Sequence, residues 1–285
     1  MITQAEHILN RVVPAMRQHA AAAARTLAIT GGGDGAGKTQ IAANLAAALA
    51  AMRQRVLLID ADPDCGSARL LLDGCMPGDL ADVASGRRAF ADAAVVGSAG
   101  VCVAAASSQE GSPGSLPPWQ RERLARSLSA AGYDFILIDG PPDALDLASG
   151  AVEPIIVCTP GAESVANAYA AFKRMARQRP GLRAKLLVNR ADAEATENAY
   201  RAVAAISRRF LGISPEYAGG VPEDAAVRQA CDGRKLFVAE SPDSQAGAAV
   251  RGMAARLCRF TCATLRRGRS SESSSELPAL QRPVS

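Results

Sequence analysis

The cysteines of this chain lack the close pairs on which most cysteine-based frameworks depend. No C-x-x-C motif occurs, and the number of cysteines is odd. This pattern argues against a disulfide-stabilised fold and against a zinc ribbon. We expect most of the seven to be small core residues: Cys65, Cys75, Cys102, Cys158, Cys231, Cys258 and Cys262.

Long hydrophobic runs are also absent. No apolar stretch reaches the ~20 residues that a membrane-spanning helix requires, and residues 1–19 lack the basic and then apolar order of a secretory signal. We therefore expect a cytoplasmic protein. With 285 residues, of which 48% are hydrophobic, the chain can bury the core of one large α/β domain.

Lysine is scarce, because only four of the 32 basic residues are lysines. The net charge of +4 is unevenly distributed: residues 251–285 contain seven Arg and two Glu, which gives +5 and leaves −1 for the rest of the chain. The basic character therefore belongs to the C-terminus, and Lys38 stands out among the few lysines.

Residues 32–39 fit the phosphate-binding pattern G-x-x-x-x-G-K-[ST]. A β-like run precedes them and a helical stretch follows, which is the strand–loop–helix context that the motif needs. Glycines let the backbone wrap an anion, and the helix N-terminus favours negative charge. Lys38 would reach the β- and γ-phosphates, and Thr39 would bind Mg²⁺. The residues expected to contact the phosphates are Gly33, Asp34, Gly35, Ala36, Gly37, Lys38, Thr39 and Gln40.

Short apolar runs alternate with long Ala-rich helical stretches along the rest of the chain. This alternation predicts βαβ units and an α/β fold of the P-loop NTPase type, with a mostly parallel, twisted sheet and helices on both faces. Ligands bind such sheets at the carboxyl ends of the strands. The predicted strands include residues 27–30, 56–59, 101–103, 135–138, 155–157 and 186–188.

The chain is predicted to contain four segments. Residues 1–24 form a helical extension, and residues 25–247 form the ATPase domain. Residues 248–268 form a basic amphipathic helix, because apolar residues from Val250 to Leu265 recur at helical spacing among arginines. Such a helix could lie on an anionic membrane or pack on the domain. Residues 269–285 are rich in Ser and are predicted to be disordered.

Aspartates follow two of the predicted strands directly. Asp60 and Asp62 come after one strand and Asp139 after another, so all three should lie beside the phosphate loop. We expect Asp60 and Asp139 to hold Mg²⁺ together with Thr39, and Asp62 to orient or deprotonate the attacking water. With Lys38, Asp62 is the predicted catalytic residue. The alternative is that these aspartates only cap the helices that follow them.

Three later segments, in order and at matching spacing, resemble the MinD/ParA class of P-loop ATPases. Residues Asp60–Gly86 are similar to the switch region of that class. Residues Thr159–Tyr169 are similar to its motif Thr-Pro-Glu-x-x-Ser followed by Asp-Ala-Tyr. Residues Arg209–Ala230 are similar to the flagellar-number regulators of the FlhG (FleN) group. The resemblance implies a MinD-like (SIMIBI) fold, ATP/ADP and Mg²⁺ as ligands, and an ATP-dependent homodimer. It also implies a FlhF-like GTPase and flagellar basal-body or transcriptional regulators as partners, and reversible membrane contact.

The same resemblance implies an adenine site. Asn189 matches the asparagine that bonds the base, and Pro222, Glu223 and Asp224 match the loop beside it. An asparagine side chain can donate to and accept from the adenine edge. Asn189 could instead cap a helix beginning near Asp192.

The phosphate loop departs from the family pattern Lys-Gly-Gly-x-Gly-Lys-Thr at two positions. Gly33 stands where the relatives carry a lysine that reaches the partner subunit's phosphates, and Asp34 replaces a glycine. Lost positive charge and an added carboxylate both predict slow hydrolysis, or hydrolysis that needs a partner's arginine. Two other functions stay open: a nucleotide-binding scaffold that no longer hydrolyses ATP, and a partitioning or polar-assembly ATPase, although DNA binding is not expected.

Overall fold

The structure is a computed structural model that describes residues 24–31, 33–62, 68, 71–72, 78–106, 116–141 and 152–271. The predicted N-terminal extension up to residue 23 and the chain beyond residue 271 lie outside the described residues, so both expectations stay predictions. Within the described ranges, no helix is both long enough and apolar enough to span a bilayer.

The described strands form one sheet in the order β3-β4-β2-β5-β1-β6-β7-β8. Every neighbouring pair is parallel except β3 and β4, which confirms the mostly parallel sheet. The strands are β1 (Arg25–Gly31), β2 (Val56–Asp60), β3 (Ala94–Val96), β4 (Cys102–Ala105), β5 (Phe135–Asp139), β6 (Val152–Cys158), β7 (Lys185–Asn189) and β8 (Glu216–Val221).

Helices cover both faces of this sheet, as the alternating sequence pattern predicts. The described helices are α1 (Lys38–Ala51), α2 (Leu80–Ser85), α3 (Phe90–Ala93), α4 (Pro118–Ala130), α5 (Ala162–Gln178), α6 (Ala193–Leu211), α7 (Ala225–Asp232), α8 (Phe237–Glu240) and α9 (Gln245–Ser271). One buried cluster joins one face of the sheet to α1, α8 and α9, and a second joins the opposite face to α2, α4, α5 and α6.

The central strands are apolar throughout because they are buried on both sides. All five residues of β2 and of β5 are buried. Side chains alternate between the two clusters: Leu27 and Ile29 of β1 contact one and Ala28 contacts the other. The carboxyl ends of β1, β2 and β5 therefore lie side by side, which brings the phosphate loop next to the ends of β2 and β5.

The C-terminal helix α9 packs on the domain over its first half. Val250, Met253, Ala254 and Leu257 are buried against the cluster that contains α1, and the Arg25 guanidinium donates to the Leu257 carbonyl at 2.9 Å. Membrane contact through these residues, which the amphipathic pattern allowed, is therefore wrong. Their apolar surface is already covered by α1. The helix begins three residues before the predicted segment 248–268 and ends three residues after it.

Among the four cysteines whose side-chain burial the structure describes, only one meets the expectation of a core residue. Cys158 is buried, whereas Cys102, Cys231 and Cys258 are partly exposed. Cys102 and Cys258 lie at the margins of the two clusters, where a small side chain is only partly covered.

A buried asparagine links α1 to the C-terminal part of the domain. Asn44 has no exposed surface; its Oδ1 accepts from the Val238 backbone at 3.0 Å, and its Nδ2 donates to the Gln40 carbonyl at 2.8 Å.

Asn44→Leu should lower the free energy of unfolding by about 2 kcal/mol, because it leaves the Val238 N–H buried and unpaired. Urea unfolding measures this. Gln54→Leu, which loses only a local bond to Met52, is the control and should change stability little.

An ion-pair network joins β1, β6 and β7 at the opposite end of the sheet. Arg25 and Lys185 both bind the Glu153 carboxylate. Burial alone would raise the Glu153 pKa, but the hydrogen bonds and charges of these two cations lower it to about 2. A depressed folded-state pKa gives stability that is present above the unfolded pKa and is lost as the pH falls towards 2.

Glu153→Gln should therefore lower the free energy of unfolding by about 1–2 kcal/mol at pH 7. The difference from wild type should shrink as the pH is lowered from 5 towards 2, as followed by urea unfolding at several pH values. Glu197→Gln, which breaks an exposed pair with Arg201, should show neither effect. A difference that persists at low pH would contradict the assignment.

Candidate nucleotide-binding site

The phosphate loop connects β1 directly to α1. Gly33, Gly35 and Gly37 have φ values of +102°, +75° and +88°, a region that suits glycine and few other residues. The helix begins at Lys38, immediately after the last of these glycines. Its first backbone N–H groups have no partners inside the helix and can bind an anion. The predicted strand–loop–helix arrangement is confirmed.

The Lys38 side chain folds back over the loop. Its Nζ donates to the Gly33 carbonyl at 2.9 Å, so a positive charge sits among the loop glycines. Asp34 and Gly35 are exposed, and no described residue forms an ion pair with Asp34. The Asp34 carboxylate therefore adds negative charge at the surface of the loop.

Asp60 and Asp139 are brought together as the sequence predicts. They are register partners on β2 and β5, and β5 also pairs with β1. Both carboxylates are almost completely buried, with exposures of 2% and 1%. The Ala61 backbone donates to the Asp139 carbonyl at 2.8 Å, which fixes the two strand ends relative to each other.

The electrostatics of Asp139 favour a bound cation. Burial and the charges of Asp60 and Asp62 together raise its pKa to about 7, although a hydrogen bond from Thr39 and the charge of Lys38 oppose this rise. Its Oδ2 is buried and has no hydrogen-bond partner among the described residues. A buried carboxylate oxygen without a partner is costly, and an oxygen-seeking cation beside Thr39 would relieve that cost.

Asp62 lies at the edge of this group. It is half-buried, and its backbone N–H approaches the Asp60 carboxylate at 3.4 Å. Its charge is close enough to affect the Asp139 pKa. Asp62 is therefore near the predicted metal position, although the residues that follow it, 63–67, lie outside the described residues. Whether the aspartates also cap following helices stays open for the same reason.

Asn189 contacts the loop from the end of β7. Its Nδ2 donates to the Ala36 carbonyl at 2.9 Å, and its Oδ1 accepts from the Arg190 backbone at 3.0 Å. The alternative that Asn189 caps the next helix is wrong, because Asp192 caps α6 by accepting from the Ala195 backbone at 2.8 Å. Asn189 thus supports the phosphate loop, and its contact with a base stays a prediction.

The segment 222–224 follows β8 and leads into α7. The Asp224 carboxylate accepts from the Ala226 backbone at 2.9 Å and from the Ala246 backbone at 3.3 Å. It therefore caps α7 and holds the start of α9. Glu223 is exposed and pairs with Arg228 at 3.1 Å, whereas Pro222 is half-buried. A base contact from this segment stays a prediction.

Two asparagines at this site are not among the predicted site residues. Asn44 anchors the phosphate-loop helix, and its partner Gln40 accepts from it with both its backbone carbonyl and, at 3.3 Å, its side-chain oxygen. Asn167 of α5 lies over Gly33: a Cβ on Gly33 would be 2.8 Å from its Nδ2. Only the resemblance of residues 159–169 to a family motif marked Asn167 in the sequence.

Comparison with known proteins identifies the family. Residues 27–93 match the CobQ/CobB/MinD/ParA nucleotide binding domain. The antiactivator FleN of Pseudomonas aeruginosa is 30% identical over 240 residues, which covers 82% of this chain and 86% of FleN. The chain belongs to the MinD/ParA family. Within that family it is similar to FleN, in agreement with the resemblance of its C-terminal half.

Solved structures of MinD/ParA proteins share the fold. The septum site-determining protein MinD of Pyrococcus horikoshii, complexed with Mg-ADP, is 25% identical with a TM-score of 0.65 and covers 82% of this chain and 96% of its own. The MinC:MinD complex of Aquifex aeolicus is 22% identical with a TM-score of 0.65, over 91% and 99%. The predicted MinD-like P-loop NTPase fold is confirmed.

Proposed function

We propose that this MinD/ParA protein binds Mg²⁺–ATP, dimerises with it, hydrolyses it slowly and regulates flagellar number or placement. The observation that carries the nucleotide part is the buried Asp139 carboxylate, whose Oδ2 has no partner among the described residues and which lies next to Thr39 and within the field of Lys38. The similarity to FleN, named an antiactivator, supports the regulatory part.

The residues at the end of β5 fit a magnesium ion. The Thr39 hydroxyl and the carboxylates of Asp139 and Asp60 supply the oxygen ligands that Mg²⁺ prefers, directly or through water. Bound Mg²⁺ would neutralise charge on the β- and γ-phosphate oxygens. The related MinD of P. horikoshii was solved with Mg-ADP, which supports ATP/ADP with Mg²⁺ as the ligands here.

The protein's own groups would then position the reaction. Lys38 binds the β- and γ-phosphates, the N–H groups at the start of α1 hold the phosphate chain, and Asp62 orients the attacking water for in-line displacement. Gly33 offers no side chain to a partner subunit, and Asp34 opposes the substrate's negative charge. We therefore expect low turnover.

The proposed partners are a second copy of the chain, a FlhF-like GTPase, and basal-body or transcriptional proteins of the flagellum. We propose a cytoplasmic protein with reversible contact at the inner membrane surface. Because α9 is packed on the domain as far as Leu257, this contact would use the arginine-rich part of the chain beyond Leu257.

A second candidate is a scaffold that signals by nucleotide occupancy without hydrolysis. The glycine at position 33 and the exposed carboxylate of Asp34 favour it, because the first lacks a positive charge and the second adds a negative one where negative charge develops in the transition state. Multiple turnover that disappears in Asp62→Ala would exclude this candidate.

Titration calorimetry of the whole chain with ATP, with and without Mg²⁺, tests the common part of both candidates. The proposal predicts saturable binding that weakens at least tenfold when Mg²⁺ is removed, since the charged carboxylates then repel the triphosphate. No binding of ATP or ADP at millimolar nucleotide would end both candidates, and binding without any Mg²⁺ dependence would remove the assigned roles of Asp60 and Asp139.

A further inference from the structure

The side chain of Asn167 is placed at the phosphate loop without a bonding role of its own. It projects from the second turn of α5, and its Nδ2 lies 2.8 Å from the position that a Cβ on Gly33 would occupy. Asn167 is exposed, and no described residue accepts a hydrogen bond from its amide. The close approach is possible only because residue 33 is glycine.

Gly33 marks the end of the loop nearest the terminal phosphate. The Lys38 ammonium binds the Gly33 carbonyl at 2.9 Å, and the lysine of this motif reaches the β- and γ-phosphates. An amide beside Gly33 would therefore lie near the γ-phosphate of a bound triphosphate.

A second asparagine at the loop serves as a comparison. The amide of Asn189 is buried and donates to the Ala36 carbonyl, so it holds the loop itself. The exposed amide of Asn167 has no such acceptor among the described residues. Both side chains approach loop glycines, but only Asn167 has both of its N–H groups available to a ligand.

The charge of residue 167 also affects how well the site can bind a polyanion. The family motif that residues 159–169 resemble has aspartate where this chain has Asn167. A carboxylate there would stand next to a loop that already carries the exposed Asp34, and it would repel a polyanion. A neutral amide avoids this repulsion and can donate a charge-assisted hydrogen bond.

We propose that the Asn167 amide donates to the terminal phosphate oxygens of bound ATP, so that this residue favours the triphosphate over the diphosphate. The inference rests on the proposed nucleotide site. It assigns α5 a direct contact with the part of the ligand that hydrolysis removes, and this contact ends when ATP becomes ADP.

The test compares affinities for a non-hydrolysable ATP analogue and for ADP, both with Mg²⁺, in the full chain. Asn167→Ala should weaken the ATP analogue roughly tenfold, the range for a lost hydrogen bond to a charged group, and change ADP affinity less than about twofold. Asn167→Asp should weaken the analogue more, because it adds repulsion. Gln178→Ala removes an exposed amide at the far end of the same helix and should match wild type for both ligands.

The outcomes separate the two claims. If wild type binds neither nucleotide, the proposed function fails. If wild type binds both but Asn167→Ala weakens both equally, Asn167 only supports the loop and the inference is overturned. Unchanged affinities in Asn167→Ala also overturn it. Thermal melting of each variant shows whether a lost affinity reflects unfolding, and since Asn167 is exposed we expect melting temperatures within about 2 °C of wild type.

Discussion

Lys38→Ala should weaken Mg²⁺–ATP binding roughly a hundredfold and abolish measurable hydrolysis. The Lys38 ammonium is the cation that the structure holds among the loop glycines, bonded to the Gly33 carbonyl. Charge-assisted bonds to two phosphates in a half-buried site are worth several-fold more than a neutral bond. Calorimetry and a steady-state phosphate assay measure the two effects.

Stability should hardly change in Lys38→Ala, because the lost bond is a single contact at a half-buried position. Lys235→Ala, which breaks an exposed pair with Glu240, is a matched control and should bind ATP like wild type. Equal ATP affinity in Lys38→Ala and wild type would show that residues 32–39 are not the phosphate site.

Asp139→Asn should reduce hydrolysis at least a hundredfold while leaving the nucleotide-free protein as stable as wild type or more stable by about 1 kcal/mol. The Asp139 residue is 1% exposed, and its Oδ2 has no partner in the part of the chain that the structure describes. Burial and the charges of Asp60 and Asp62 raise its pKa to about 7. Ionisation therefore works against folding at neutral pH. The asparagine keeps the shape and the acceptor for Thr39 but gives up the charge that would bind Mg²⁺.

In Asp139→Asn the hydrolysis rate should fall while the stability of the nucleotide-free protein does not. This combination distinguishes a functional carboxylate from a structural one. Asp92→Asn, at an exposed position on α3 away from the loop, should alter neither. If Asp139→Asn lowered the melting temperature strongly, the carboxylate would be a structural group and the metal assignment would lose its main support.

The centre of the sheet could be predicted from sequence because its strands are apolar on both faces. β2 and β5 read as continuous hydrophobic runs, and the aspartates that end them fall at the carboxyl edge for that reason. The edge strands gave no such signal. β3 is only three residues long and none of them is buried. β8 contains two consecutive glycines in place of a run of β-branched residues.

The site was predictable where a motif fixes the backbone and less so where tertiary contacts decide. Lys38, Thr39 and the aspartates follow from local pattern. Asn44 and Asn167 do not, because their partners Val238 and Gly33 are distant in sequence. For Asp224 the resemblance predicts a base contact, which stays a prediction. Its hydrogen bonds to the starts of α7 and α9 have no local signal in the sequence.

The C-terminal helix shows a different limit of sequence reasoning. An amphipathic stripe indicates that one face of a helix is apolar, but it does not indicate which surface covers that face. Val250, Met253 and Leu257 satisfy a membrane-facing pattern, yet the structure buries them against α1. The same residues could contact either a membrane or the domain, and only the fold shows that they pack on the domain.

The proposed switch couples slow ATP turnover to dimerisation. Steady-state ATP hydrolysis is measured together with sedimentation of the full chain in ADP and in a non-hydrolysable ATP analogue. We expect slow turnover that rises with protein concentration, and dimers with the analogue but not with ADP. Tight binding with a monomer in both nucleotides and no turnover would contradict the switch and leave the scaffold.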